Sequence, residues 1–355
     1  MHSVPLRAKW LAPAMFAALA AFLPAGAATS ATAATSAAKA AATSAPAPDD
    51  LQSRLAVFAH RAQPAQLGIA VVDVSSGKRW GVNADASFVL MSVFKSPVAA
   101  AVLSQIDDGK IAFDQRVTLT PADLVDGSAI PSVGEKLEAG QTVFTVRELL
   151  VGAVSESDST AVDALIRLVG GPQVVSQYLR SHGIAGLHVD MGEGEVARIS
   201  NHLRPGDVMP AHETEAQTLK RTKLGYADLL ADPRNRSTPA AAVDYLRKLT
   251  AGELLSPQST QLLMELMRKQ TIPFRLRGGV PAGADFGDKS GTSSTVAGKN
   301  VAWNDIAFMA LADGRQIMMA VFLKDTAMPK PQRDVLFADI ARAVAAGVPA
   351  REVGR

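Results

Sequence analysis

Apolar, β-branched runs at both ends of the chain, separated by a long stretch of helical patterns, constrain the fold more than any other feature. Gln66 to Val74 (Gln-Leu-Gly-Ile-Ala-Val-Val-Asp-Val) reads as a buried strand, and Ser75-Ser76-Gly77-Lys78 turns it into a second strand at Arg79 to Val82. Near the other end, Asp305 to Leu311 and Gln316 to Leu323 repeat the pattern around the turn Ala312-Asp313-Gly314-Arg315. Over residues 110–270 helical spacing dominates, as in Val146 to Ala153, Ser159 to Val169, Pro172 to Ser181 and Pro257 to Lys269. Further helices are expected at Asp50 to His60 and at about Gln332 to Ala345. The economical solution pairs the terminal strands into one antiparallel sheet flanked by helices and leaves the middle as an all-helical lobe. That is an α+β fold, with the cleft between the lobes as the natural site.

Composition narrows the chemistry. The 355 residues include no cysteine, which excludes disulfides, thiolate zinc sites and a lipid-acceptor cysteine. Net charge is +2 and the basic residues are scattered, which argues against nucleic acid as a partner. The six histidines form no zinc-ligand spacing, and neither a Gly-x-Ser-x-Gly elbow nor a phosphate loop is present. No metal and no cofactor are expected. Arg7 and Lys9, the apolar run Trp10 to Leu23 and the small residues Ala25-Gly26-Ala27 read as a cleaved export signal over residues 1–27. The run falls short of the roughly 20 residues a bilayer span needs. Residues 28–48, almost all Ala, Ser, Thr and Pro, read as a disordered linker. Residues 49–350 then form one domain, with 49–90 and 275–350 as the α/β lobe and 91–274 as the helical lobe. The mature protein is expected to be exported, free of the membrane and monomeric. Its place is the periplasm, or the medium if the source is Gram-positive.

Three short motifs carry chemistry. Ser92-Val93-Phe94-Lys95 lies in an apolar segment, and positions i and i+3 share a helix face. A lysine buried there tends to lose its proton, and a neutral lysine can activate a neighbouring hydroxyl. Ser157-Asp158-Ser159 stands at a loop leading into a helix. Its hydroxyl could relay a proton, although Ser and Asp also cap helices routinely. Lys289-Ser290-Gly291-Thr292 falls just before the last strands, where a lysine and two hydroxyls could bind a carboxylate, or simply make a polar turn.

Together and in this order, the three motifs resemble those of the class A serine β-lactamases. The likeness runs from Leu51 to about Val348. It includes Val169-Gly-Gly-Pro, Arg275-Leu-Arg-Gly-Gly-Val-Pro-Ala-Gly and Ala302-Trp-Asn-Asp-Ile-Ala. Met91-Ser-Val-Phe-Lys and Lys289-Ser-Gly-Thr-Ser are most similar to the PER-type branch. The resemblance implies that Ser92 attacks a β-lactam carbonyl and that Lys95 shares the proton chemistry. It implies that Ser157 passes a proton to the lactam nitrogen, and that Lys289, Ser290 and Thr292 hold the substrate carboxylate. The backbone N–H groups of Ser92 and Thr292 would form the oxyanion hole. Asp158 and Gly291 would shape the site, Ser159 would meet the substrate side chain, and Arg275 would support the carboxylate unless it is a surface charge. For the base that activates water, Glu193 matches by position, with Glu195 as its rival.

Departures from the family pattern bear on the same steps. Serine replaces the usual asparagine at Ser159, offering one short hydroxyl in place of an amide; weaker substrate binding and an altered response to clavulanate-like inhibitors follow. Ala197 stands where an asparagine usually helps hold the hydrolytic water. The loop at about 196–236 is about 30 residues longer than usual, and loops of such length are functional or disordered as a rule. Two other activities share parts of the pattern. One is a D,D-peptidase or penicillin-binding protein, against which Ser159 and the Glu193 candidate both argue. The other is a β-lactam-binding module that acylates and stalls.

Overall fold

The computed structural model describes residues 50–350; the expected signal and linker lie outside them. Helix α1 (Asp50–Arg61) precedes strands β1 (Gln66–Asp73), β2 (Arg79–Val82) and β3 (Phe88–Val89) and helix α2 (Lys95–Asp107). The middle holds β4 (Arg116–Thr118), α3 (Ser132–Glu138), β5 (Val143–Thr145), α4 (Val146–Val154), α5 (Ser159–Leu168), α6 (Pro172–Ser181), α7 (Glu193–Ser200) and α8 (Glu215–Ala231). After β6 (Arg236–Ser237), α9 (Pro239–Thr250) and α10 (Pro257–Arg268), the chain returns through β7 (Asp285–Thr292), β8 (Thr295–Val296), β9 (Lys299–Ala310) and β10 (Gln316–Thr326) to α11 (Lys330–Gly347).

The terminal strands do pair into one antiparallel sheet, in the order β2-β1-β10-β9-β7, with β8 folded back on β9. Their continuous apolar runs have a physical reason: both faces of the sheet are covered. Leu67, Ile69 and Val71 of β1, with Met319, Val321 and Leu323 of β10, pack against α1 and α11. The alternating residues Ala70, Val72, Ala320 and Phe322 face the core shared with α2, α5, α9 and α10. A strand buried on both faces loses the apolar–polar alternation of a half-exposed one.

The long stretch expected as a loop at 196–236 is instead largely helical. Thr214 caps α8, its hydroxyl accepting from the Gln217 N–H while the Gln217 side chain accepts from the Thr214 N–H at 2.8 Å. This reciprocal cap is written in Thr-Glu-Ala-Gln and outweighs the polar character of the segment. At the other end the buried Arg236 guanidinium donates to the Leu229, Leu230 and Asp232 carbonyls, satisfying acceptors that a helix end leaves open.

Candidate active site

Ser92 was expected at the start of a regular helix. It lies one turn earlier, in the 3-10 segment Met91–Phe94 that runs directly into α2. In such a turn residues i and i+3 eclipse, which brings Ser92 over Lys95. The segment is held from outside. Asn235 accepts the Leu90 N–H at 2.9 Å, and Asn304 Nδ2 donates to the Val89 carbonyl at 2.6 Å and the Leu90 carbonyl at 3.2 Å. Strand β7 passes so close that a Cβ on Gly291 would stand 2.4 Å from the Leu90 carbonyl oxygen, so glycine is required there.

Lys95 is fully buried, and its Nζ donates to the Ser157 carbonyl at 2.7 Å and to Ser159 Oγ at 3.3 Å. It also pairs with Glu193 Oε1 at 3.1 Å, and the same oxygen accepts the Ser92 hydroxyl at 2.8 Å. The Ser92 hydroxyl and Lys95 Nζ therefore meet at one oxygen of Glu193. Glu193 is buried in the first turn of α7. Glu195, two residues on, is turned by roughly 200° along the helix and pairs with Arg198 at 3.8 Å and Arg234 at 3.5 Å. The geometry brings Glu193 to Ser92 and leaves Glu195 outside.

Across the cleft, Ser157 is buried with a φ of 59°, and its Oγ accepts from Lys289 Nζ at 2.9 Å. The capping reading of this motif falls on Asp158, which leaves the Ser157 hydroxyl facing Lys289. Asp158 caps α5 through the Ala161 N–H at 2.7 Å and takes the Val133 and Gly134 N–H groups on its other oxygen. Lys289 is fully buried on β7, the edge strand beside the cleft. Burial first, and the neighbouring Lys95 cation second, pull its pKa down from 10.5 to about 7.

Ser290 Oγ accepts from the Gln270 amide at 3.4 Å, and Thr292 Oγ1 accepts from the Arg275 guanidinium. Arg275 is not a surface charge. It is buried, adopts a φ of 66°, donates to the Gly291 carbonyl at 3.0 Å and stacks 3.9 Å over the Trp303 ring. Burial lowers its pKa to about 10, which leaves it a cation at neutral pH. The Arg275 cation, Lys289, which is charged below its lowered pKa, and the Ser290 and Thr292 hydroxyls line the β7 side, an arrangement suited to an anionic group.

A family model described as the β-lactamase enzyme family matches residues 50–348. The chain belongs to that β-lactamase family. It is 32% identical over 279 residues to the extended-spectrum β-lactamase PER-1 of Pseudomonas aeruginosa, covering 78% of this chain and 81% of the relative. Against the β-lactamase L2 of Stenotrophomonas maltophilia the identity is 31% over 305 residues, covering 84% and 88%. Among solved structures, a β-lactamase from Chitinophaga pinensis DSM 2588 is similar with a TM-score of 0.70 and 30% identity, over 83% of this chain and 97% of the other. An ancestral class A β-lactamase gives a TM-score of 0.68 and 33% identity, over 83% and 98%. The fold is that of the class A β-lactamases.

Within this β-lactamase-family site, two residues escaped the sequence reading. Asp163 is carried by α5, and its carboxylate accepts the Glu193 N–H at 2.7 Å and the Gly194 N–H at 2.8 Å. It thereby satisfies the first two open donors of α7 and places negative charge at the positive end of that helix. Burial raises its pKa to about 6. Asn235 Oδ1 accepts from the Asp190 and Met191 N–H groups at 2.7 and 3.1 Å, fixing the chain just before Glu193. The only sequence signal for Asp163 was an acid inside the apolar run Thr-Ala-Val-Asp-Ala-Leu. Among the described residues no group of three or more His, Asp or Glu side chains is placed to hold a metal ion. No described helix is long and apolar enough to cross a membrane.

Proposed function

We propose that this chain hydrolyses the amide of β-lactam antibiotics through an acyl-enzyme on Ser92, and so confers resistance to them. The observation that carries the reading is the shared Glu193 oxygen, 2.8 Å from Ser92 Oγ and 3.1 Å from Lys95 Nζ. As the Ser92 oxygen bonds to the lactam carbonyl carbon, its proton passes to the Glu193–Lys95 pair. The backbone N–H groups of Ser92 and Thr292 take the developing oxyanion. The carbon–nitrogen bond then breaks, and the proton taken from Ser92 passes on from the pair through Ser157, which Lys289 holds by its Oγ, to the nitrogen, leaving Glu193 unprotonated. Lys289, Ser290 and Thr292, backed by Arg275, receive the substrate carboxylate, and Ser159 faces the substrate side chain. Glu193 next takes a proton from water, whose oxygen attacks the ester, and Ser92 regains its hydrogen as the opened product leaves.

A carboxylate within hydrogen-bonding distance of the nucleophile supports turnover over a stalled adduct, and it argues against the D,D-peptidase reading, since those enzymes lack this base. We assign the catalytic domain to residues 49–350. The charged start and the apolar run Trp10 to Leu23 support export to the periplasm.

Mass spectrometry of the mature protein mixed with nitrocefin, with its colour change followed in parallel, tests the assignment. The expected result is rapid turnover with only a transient adduct on Ser92. An adduct that persists for hours without turnover would overturn hydrolysis in favour of binding, and no adduct at all would overturn the nucleophile.

A further inference from the structure

The helix inserted between Glu193 and β6 has no part in the chemistry described so far, yet it packs on the helix that carries Glu193. A Cβ on Gly225 of α8 would lie 2.1 Å from the Ser200 carbonyl oxygen, so α8 packs backbone to backbone on the last turn of α7. Arg221 grips the same turn, donating to the Asn201 carbonyl at 3.1 Å and to Asn201 Oδ1 at 2.8 Å, while Glu213 holds the guanidinium from its other side at 2.7 Å. Asn201 in turn donates to the Ala197 carbonyl at 2.9 Å. Arg221 therefore closes off the C-terminal end of α7 as Asp163 closes off the N-terminal end.

The other side of α8 reaches the sheet and the nucleophile. Tyr226 donates its hydroxyl to Asp325 Oδ1 at 2.5 Å, at the end of β10. Leu229 joins a small apolar core with Met191 and Val196 from the Glu193 segment, Met91 next to Ser92, and Val301 and Ala302 of β9. An eight-residue helix is too short to hold its own geometry in water. Here α7 is squeezed between Asp163 at one end and α8 along the other.

We propose that α8 is a positioning clamp for the deacylation base. It holds Glu193 at the distance and angle that activating water requires, in a loop whose usual water-holding asparagine is replaced by Ala197. The inference rests on the acyl-enzyme reading above. Tyr226 and Arg221 hydrogen-bond to none of Ser92, Lys95 and Glu193, and Gly225 meets α7 backbone, so these residues act through α7. Lys95 is held by Ser157 and Ser159, outside this clamp, so Lys95 keeps its place when α8 shifts, and acylation, which can still draw on Lys95, loses less than water activation, which needs Glu193.

The test is steady-state and pre-steady-state kinetics of the full mature chain with nitrocefin, comparing wild type, Gly225→Ala, Tyr226→Phe and Glu193→Ala. In an acyl-enzyme scheme, slowing only the second step lowers kcat and KM together and leaves kcat/KM unchanged. A misplacement of about an ångström can cost on the order of 100-fold. Gly225→Ala is expected to lower kcat and KM in parallel by roughly tenfold or more, with the Ser92 adduct dominating at steady state. Tyr226→Phe, which loses one hydroxyl, is expected to do the same by about two- to threefold and decides the matter if Gly225→Ala does not fold.

Wild-type kcat and KM in the folded variants would overturn the clamp. So would a fall in kcat with KM unmoved, which is what a loss of folded enzyme gives, or a rise in KM, which would place α8 in substrate binding. The two ideas fail differently: a wild-type or Glu193→Ala protein that turns nitrocefin over without passing through an adduct would sink the acyl-enzyme reading itself.

Discussion

Ser92 and Lys95 sit on a turn and a helix enclosed by apolar core, whereas Glu193 stands on an eight-residue helix held by polar ties. Along α2, every residue from Lys95 to Leu103 is buried, and β7 presses on the Ser92 turn at a glycine. The Glu193 side depends on Asp163, Asn235 and, at the far end, Arg221. Close packing spreads the support of Lys95 over many neighbours, although the Ser92 turn also rests on Asn235 and Asn304. A hydrogen-bonded support fails when one partner goes, because the groups left behind are buried without partners. Loss of a single polar partner should therefore tell more on the Glu193 side than on Lys95.

The largest effect expected is at Glu193. Glu193→Ala should leave adduct formation fast enough to observe and cut kcat by roughly 10²–10⁴-fold, the usual range for a lost general base; trapping of the Ser92 adduct by mass spectrometry checks it. If acylation collapsed equally, the division between the two sides would be wrong.

Asp163→Ala comes next. It strips the acceptor from two N–H groups while hydrogen-bonding neither Ser92 nor Lys95, so kcat should fall by about 10²-fold with kcat/KM much less affected. Thermal unfolding should report a loss of roughly 1–3 kcal/mol. An unchanged kcat would show that α7 holds itself.

A smaller effect separates the carboxylate side by pH. With its pKa pulled down to about 7, Lys289 loses its charge as pH rises through that value. For an anionic cephalosporin, kcat/KM, which reports the free enzyme, should fall between pH 6 and pH 9. A flat profile would mean that Arg275, still charged in that range, holds the carboxylate alone.

The smallest effect is expected for Ser159→Asn. The amide offers a second hydrogen-bonding group to the substrate side chain, so KM should drop a few-fold, about 1 kcal/mol, and clavulanate potency should change. Equal KM and equal inhibition would show that Ser159 serves only Lys95.

What could be read in the sequence follows the same division. The strands were legible because burial on both sheet faces demands unbroken apolar runs, and Ser92, Lys95, Ser157 and Lys289 because each lies in a compact local motif. Choosing between Glu193 and Glu195 required knowing that Met-Gly-Glu-Gly-Glu winds into a helix, which its glycines disguise. Helix α8 was hidden by its polar surface, since among its residues only Gly225 and Leu229 are buried. Asp163 and Asn235 could not be found from spacing, because they act on backbone donors 30 and 45 residues away in the chain.

Asn304 binds the Val89 and Leu90 carbonyls with its amide, while its own backbone carbonyl accepts from Arg275 at 2.5 Å. The turn that carries Ser92 and the Arg275 guanidinium thus share one support, a single residue of β9. In amide exchange, the segments 90–94 and 289–292 should lose protection together when β9 opens at Asn304, which pairs with Gly291 and holds the Leu90 carbonyl.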